Sequence, residues 1–392
     1  MTAIGETSAE RISPAQSALA WRIHAGAEAL ARLAAPGIRP ITPFQQAAWL
    51  SSLLGATGAM DAFRLVEIEG MGGSVLLPLE IHRLGPFRVA DIAGGKQASF
   101  HGVAMRGQPM LPAEAFRAAL REAGQALGLD AFTFRDAPVL WLGEALSFAS
   151  LAARPSPSAG WAVTLEAECE TLFARLSSRE DRKKQRYKAN KLAQIGPVVG
   201  GWITDEARIG EALTKLFAWK AARFGAVGID NPFEDPAMQA FLRAGSAGRL
   251  APLRIFALSA GERLVAVMVC AIDGRACSGM VNAHDPDPDI AKTSPGEQLL
   301  MHLLRRLCAE GFRQFDLGIG EARYKAHFCP EPVALIDAAL AISAKGRVAA
   351  LLFVAMRRLK RRVKQDPRLW ALVMRYRKWK AGQAAASSAR PG

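Results

Sequence analysis

Two seven-residue stretches constrain this chain more than any other feature. Gly128-Leu-Asp-Ala-Phe132-Thr-Phe134 and Gly311-Phe-Arg-Gln-Phe315-Asp-Leu317 match at an offset of 183 residues. Each follows an amphipathic helical pattern, Ala113–Leu127 and Pro295–Glu310, that ends at the glycine. Each then opens a short strand, Ala131–Phe134 and Arg313–Leu317. Alternating apolar runs precede both helices, so the same order of elements occurs twice. A duplicated α/β unit accounts for this: two tandem lobes of mixed, largely antiparallel sheet flanked by helices.

In the first half, a helical pattern at Phe44–Leu54 precedes the strand patterns Phe63–Ile68 and Ser74–Ile81. Gly70, Gly72 and Gly73 separate these two runs, which is hairpin chemistry. Arg154-Pro-Ser-Pro-Ser-Ala-Gly160 combines prolines with small residues and reads as an interdomain linker. Beyond it, helices are expected at Glu170–Lys191, Ile209–Phe224 and Phe233–Ala244. A meander Leu253–Leu258, Arg263–Ile272, Ala276–Ala283 follows, turning at Ala260-Gly261 and Asp273-Gly274. The expected division is an arm over 1–35, a first lobe over 36–153, the linker 154–160, a second lobe over 161–344 and a tail over 345–392.

With 392 residues, half of them apolar, both lobes can bury a core. The net charge of +14 suggests nucleic acid until it is located. From Lys345 onward 14 Lys and Arg stand against Asp366 alone, so nearly all the excess belongs to the tail. The tail joins the apolar stretch Val348–Met356 to Arg357-Arg-Leu-Lys-Arg-Arg362, with Trp370, Tyr376 and Trp379 beyond. A basic-faced helical hairpin packed on the second lobe fits this pattern, and so do contact of residues 345–380 with an anionic membrane surface and a grip on nucleic acid through its phosphates. No apolar run exceeds nine residues, far short of the roughly 18 that span a bilayer. Five cysteines without a CxxC pair argue against a disulfide framework or zinc and for a cytoplasmic protein.

Lys292-Thr-Ser-Pro-Gly-Glu297 opens the second repeated helix. Ser294 caps it, Pro295 suits the first helical position and Glu297 completes a capping box. The same residues also suit an anion: Gly296 permits close backbone approach, the helix start is positive and Lys292 adds charge. Phe315-Asp-Leu-Gly-Ile-Gly-Glu-Ala-Arg-Tyr-Lys-Ala-His-Phe328 then sets Asp316, Glu321, Tyr324, Lys325 and His327 around Gly318 and Gly320. It is either a solvated loop or a site at the open end of a sheet. Arg179–Lys191 holds seven basic residues that are either a solvated helix face or a polyanion contact. Trp219, Lys220, Arg223 and Phe224 recur at helical spacing, as core or as an acceptor groove.

The run Leu264–Phe328, with Asn282-Ala-His-Asp-Pro286, Ser294-Pro-Gly296, Phe315-Asp-Leu-Gly318 and Tyr324-Lys325, resembles the CelD-type (BioF-like) acetyltransferase domain of the GNAT superfamily. The basic stretch Arg182-Lys-Lys-Gln-Arg186 through Lys191-Leu192 is similar to the start of that domain, so the resemblance covers about residues 165–345. The first lobe is similar in outline to the degenerate partner lobe found there and in FemAB-type transferases. The resemblance implies two GNAT-like lobes, a catalytic second one and a basic helical tail.

The resemblance also implies acetyl-CoA or another acyl-CoA as co-substrate, lying where two strands splay apart, and no metal. Asn282 and its strand would meet the pantetheine, with Lys292, Thr293, Ser294 and Gly296 at the pyrophosphate and Gly318 and Lys325 alongside. Tyr324 matches the usual acid, while Asp316 and His284 are the preferred bases. Arg186, Trp219 and Arg223 would contact the acceptor. Thr293-Ser-Pro-Gly296 replaces the superfamily's glycine-rich pyrophosphate loop, which leaves room for a different donor. The implied activity is N-acyl transfer to an amine or hydroxyl of a small molecule or cell-envelope or exopolysaccharide precursor, in the cytoplasm or at the inner face of the membrane. The alternatives are FemAB-like aminoacyl transfer from tRNA and a non-catalytic envelope-polysaccharide assembly protein with a decayed cleft.

Overall fold

The computed structural model describes residues 19–373 and Arg375, apart from residues 146, 147, 149, 150, 229, 249 and 250 and the side chain of Arg323. The first half of the N-terminal arm, and Tyr376, Trp379 and the rest of the tail, lie outside the described residues. Two large mixed sheets carry the fold. The first runs Ile38–Pro40, Ala104–Met110, Phe63–Leu84, Phe87–Ile92, Ala131–Pro138, Leu335–Ala341, Arg154–Pro155, with Trp21–Ala25 also paired to Phe63–Leu84. The second runs Val198–Ile203, Leu253–Ala260, Arg263–Ile272, Ala276–His284, Gln314–Ile319, Gly160–Thr164, Glu331–Val333.

The repeat is in register between the lobes. Val89 pairs with Ala131 and Ala90 with Phe132 in parallel, just as Ala276, Cys277 and Ser278 pair with Gln314, Phe315 and Asp316. Ala131 and Gln314 are themselves 183 residues apart. The crossing helices Ala113–Ala126 and Pro295–Ala309 are each followed by a left-handed glycine, Gly128 at φ +63° and Gly311 at φ +76°. Glycine adopts this conformation without the steric cost a Cβ would bring, so the chain can reverse directly into the strand.

Several expectations are corrected. The glycines at 70, 72 and 73 make no hairpin, because Phe63–Leu84 is one 22-residue strand. Its first part pairs with Trp21–Ala25, its middle with Ala104–Met110 and its end with Phe87–Ile92. The two apolar runs have partners elsewhere, so they need not pair with each other. The glycines instead make a bulge between Met71 and Gly73. A Cβ on Gly73 would sit 1.9 Å from the carbonyl oxygen of Arg106. The expected helix Glu170–Lys191 is two helices, Cys169–Leu176 and Arg179–Ala193, because Ser178 leaves the helical path and caps the second through the amide of Asp181 at 3.1 Å. The glycine-rich edge strand Val198–Ile203 carries no strand-like pattern and was not expected; Gly200 lets it approach His302 of the Pro295–Ala309 helix.

One strand crosses between the halves. Gly160–Thr164, at the start of the second lobe, lies in the second sheet between Gln314–Ile319 and Glu331–Val333. Leu335–Ala341, counted with the second lobe, lies in the first sheet against Ala131–Pro138. Residues 154–160 are therefore held at both ends: Arg154–Pro155 pairs with Ile336 and Asp337, and the Ser156 hydroxyl donates to Asp337 at 2.6 Å.

One apolar core runs through both lobes. Helix Ala47–Thr57 packs on helix Pro236–Ser246, where Trp49 meets Phe241 edge-on at 5.2 Å, and Phe44, Phe100 and Trp141 extend the aromatic cluster. A second core lies on the other face of the second sheet. There Leu299, Leu300, Leu303, Leu304 and Leu307 of the Pro295–Ala309 helix pack on Phe256, Met268 and Phe315. Each such side chain contributes about 1.5–3 kcal/mol by leaving water.

The tail forms the helix Ala344–Gln365, which packs on the first sheet rather than on the second lobe, and a further helical stretch over 367–373 follows the break at Asp366. Only Gly346, Ala349 and Phe353 are buried. A Cβ on Gly346 would overlap the Asp130 carbonyl oxygen at 1.7 Å, so glycine allows the helix to dock there. Among the described residues no helix is long and apolar enough to cross a membrane.

Candidate active site

The parallel pairing of Ala276–His284 with Gln314–Ile319 stops after Ser278 and Asp316. Both strands continue, and a bulge moves the first away: Cys270 pairs with Gly279 but Val269 pairs with Val281, leaving Met280 as the extra residue. The result is a wedge-shaped opening. Along its upper edge the main chain of residues 279–284 pairs with Arg263–Ile272 on one side and with no strand on the other.

Asp316 lies at the apex with no exposed surface. Its Oδ2 accepts from the Ser278 hydroxyl at 2.5 Å and its Oδ1 from the Gly318 amide at 2.9 Å. Burial pushes its pKa up to about 7, against the lowering effect of those two hydrogen bonds and of the Lys325 charge. The carboxyl thus titrates near neutrality, although no acceptor could touch it without an intervening group or water. Lys325 donates to the Ile319 carbonyl at 2.9 Å, tying the short helix Arg323–Phe328 to its strand, and burial lowers its pKa. On the same helix Tyr324 is partly exposed. Burial raises its pKa while the charge of Arg223 opposes the rise, so the phenol stays protonated at neutral pH.

His284 ends the upper strand, and its Nδ1 lies 3.0 Å from the Asp285 carbonyl oxygen. Gly296 stands beside it, since a Cβ there would meet only the His284 ring, at 3.9 Å. Asn282 lies two residues earlier on the same unpaired stretch. The structure therefore places Asn282 and His284 along the upper strand with Gly296 beside His284, and the charge of Lys325 near Asp316 on the lower one, with Tyr324 on the helix that follows.

The expected capping box at Ser294 does not form. Ser294 is left-handed (φ 54°), which turns its hydroxyl away from the helix, and no side-chain cap bond is made. Glu297 instead accepts from Gln185 at 2.8 Å and Lys188 at 3.0 Å. Burial opposes its ionisation, yet these partners hold its pKa below the ordinary range and join the basic helix Arg179–Ala193 to the Pro295–Ala309 helix. Thr293 is buried and donates to the Ile290 carbonyl at 2.7 Å, while the Lys292 ammonium points outward to Asp289 at 3.0 Å. Gly318 faces the first lobe rather than the opening, because a Cβ there would sit 2.5 Å from the Ser99 hydroxyl.

Of the acceptor candidates, Arg186 is exposed on the basic helix and Trp219 packs against the main core. Arg223 is exposed and acts electrostatically on Tyr324. Sequence reasoning missed Ser278, the hydroxyl partner of Asp316, although a serine facing a buried carboxylate shows in sequence only as one polar residue in an apolar strand. Lys220 lies 5.3 Å from the ring of Phe233 and 5.9 Å from that of Phe224, and burial, with help from Arg223, brings its pKa down to about 8. No group of metal-ligating side chains occurs among the described residues.

Residues 179–326 match the family described as acetyltransferase (GNAT) domain. No curated protein gives a significant match. Among solved structures, FemX is 11% identical, with 79% of this chain and 94% of FemX covered at a TM-score of 0.51. A conserved protein of unknown function from Bacteroides thetaiotaomicron is 14% identical over 76% and 90% of the two chains at 0.47. A tandem GNAT protein from the clavulanic acid biosynthesis pathway is 12% identical over 78% and 98% at 0.36. Of these three, the FemX likeness is close enough to speak for the overall fold. Residues 179–326, which contain the opening between Ala276–His284 and Gln314–Ile319, thus match the acetyltransferase (GNAT) domain family, within a two-lobed chain similar in fold to FemX.

Proposed function

We propose that the chain is an acyltransferase that moves an acyl group from acyl-CoA to an amine or hydroxyl of a small molecule or of a cell-envelope or exopolysaccharide precursor. The observation that carries this reading is the opening itself. A parallel strand pair parts after three rungs, and past the last rung it offers unpaired main chain, a helix start at Gly296 and two flanking side chains that can carry protons. A thioester chain laid along residues 279–284 would receive the hydrogen bonds that a neighbouring strand otherwise supplies. A CoA donor implies a cytoplasmic site of action.

For an amine acceptor, nitrogen attacks the thioester carbonyl carbon, the N–C bond forms and the C–S bond breaks. His284 takes the proton that the nitrogen loses, and Tyr324 gives its proton to the departing sulfur. The raised pKa of Tyr324 suits a donor at neutral pH. Asp316 is a positioning residue in this scheme, holding the rung at Ser278 where the strands part.

Calorimetric titration with acetyl-CoA tests the donor. Gly296→Glu places a carboxylate in the space that a phosphate would use, and it is expected to weaken binding at least about tenfold. Equal binding by the variant removes the phosphate site from the reading. A second reading, aminoacyl transfer from tRNA, is favoured by the exposed Lys183, Arg186 and Tyr187 on the basic helix joined to this site through Glu297. Activity that depends on aminoacyl-tRNA and falls steeply with salt would select it.

A further inference from the structure

The tail helix Ala344–Gln365 has two faces that call for different partners. Its inner side is anchored. Gly346, Ala349 and Phe353 are buried on the first sheet, Arg357 is paired with both Asp136 and Asp337, and Lys364 donates to Ser158 at 2.7 Å. Its outer side carries Val348, Leu351, Leu352, Met356 and Leu359, at spacings that form one stripe along a helix, and all five are exposed. Leu351 is 70% and Leu359 63% exposed, which is unusual for leucines on an anchored, regular helix. At 100° per residue, Arg347, Arg358, Arg361 and Arg362 fall along one border of this stripe. The helix holds eight Lys and Arg and no acidic residue.

We infer that this outer face docks in the interface of an anionic lipid bilayer. An apolar stripe bordered by arginines meets both layers of such an interface, acyl chains at the centre and phosphates at the side. A second copy of this chain fits poorly, since pairing the two helices would set one row of arginines near another with no carboxylate between them. Nucleic acid would satisfy the arginines but leave the leucines facing phosphates. The inner anchoring makes the face a preformed part of the surface, so docking costs no folding of the helix. The inference does not depend on acyl transfer and is read by binding alone.

The test is co-sedimentation of the full chain with vesicles of phosphatidylcholine alone, and with vesicles in which about one lipid in three is phosphatidylglycerol. The expected result is a partition coefficient at least about tenfold higher on the anionic vesicles, falling as salt rises to about 0.5 M. Leu351→Asp with Leu359→Asp is expected to lower it about tenfold at unchanged Tm, because both side chains lie outside the core. Arg358→Glu with Arg362→Glu is expected to abolish the preference for anionic lipid. Equal partition onto both vesicles, no partition at all, or leucine variants that bind like the parent would each overturn the inference. So would retention of the chain by a non-specific RNA, or a concentration-dependent dimer lost in the leucine variant, where either occurs without vesicle binding.

Discussion

Ser278 donates its hydroxyl to Asp316 across the last rung of the parallel strand pair, and the positions just past the last paired residues of the first lobe hold the same two chemistries on opposite strands. There Asp91 follows Ala90 and Thr133 follows Phe132, so the carboxylate sits on the upper strand and the hydroxyl on the lower one. Both carboxyls are pushed up to about 7 by burial. Beyond the rung the lobes part company. In the first, Arg135 pairs with Asp91 at 2.9 Å, and Arg357 of the tail helix enters between Asp136 and Asp337. Arginines thus occupy the end of the first sheet where the second lobe has its opening.

Asp316→Asn should change how stability depends on pH. A carboxyl whose folded pKa is raised favours the folded state fully below its unfolded value near 3.8, and that contribution is lost as pH rises through about 7. The variant should therefore gain on the parent from about pH 4 to pH 7, by on the order of 4 kcal/mol at the upper end. Urea unfolding of both proteins across this range checks it, and parallel curves would show that Asp316 is not buried as described.

Ser278→Ala removes one of the two hydrogen bonds that favour the charged form of Asp316. The carboxyl should titrate at higher pH, and stability should fall by about 1–3 kcal/mol above neutrality, where a charged and less satisfied carboxylate remains. Ser278→Thr, which keeps the hydroxyl, should restore most of the loss.

Arg357→Met leaves Asp136 and Asp337 facing each other in a half-buried site. The expected cost is about 3–5 kcal/mol, and removal of all residues after Ala344 should cost at least as much, because it also uncovers Ala349 and Phe353. Thermal unfolding measures both. A truncated chain as stable as the whole would mean that the helix is not part of the first lobe.

Gly73→Ala tests the bulge. The new Cβ would lie 1.9 Å from the Arg106 carbonyl oxygen, and both groups belong to backbone that cannot simply rotate away. A loss of about 2 kcal/mol or more is expected. Gly201→Ala, which meets no atom within 4 Å, should change stability by less than about 0.5 kcal/mol.

Periodicity and turn chemistry by themselves determined the kinds of elements, the duplicated unit and the place of the second-lobe motifs. Gly128 and Gly311 end their helices as their spacing requires, and the meander 253–284 turns at Gly261 and Gly274. Such signals record which face of an element is apolar, because burial acts on each residue locally. They do not record which strand lies alongside. The crossing of Leu335–Ala341 into the first sheet, the three successive partners of Phe63–Leu84 and the docking of Arg357 between Asp136 and Asp337 all join residues far apart in the chain. The site divides in the same way. Asp316, Tyr324 and His284 stand out by residue type, while only the tertiary structure sets Asp316 against Ser278, turns Gly318 toward Ser99 and buries Thr293 away from the opening. Composition places a carboxyl on a strand; the packing around it decides whether that carboxyl is charged.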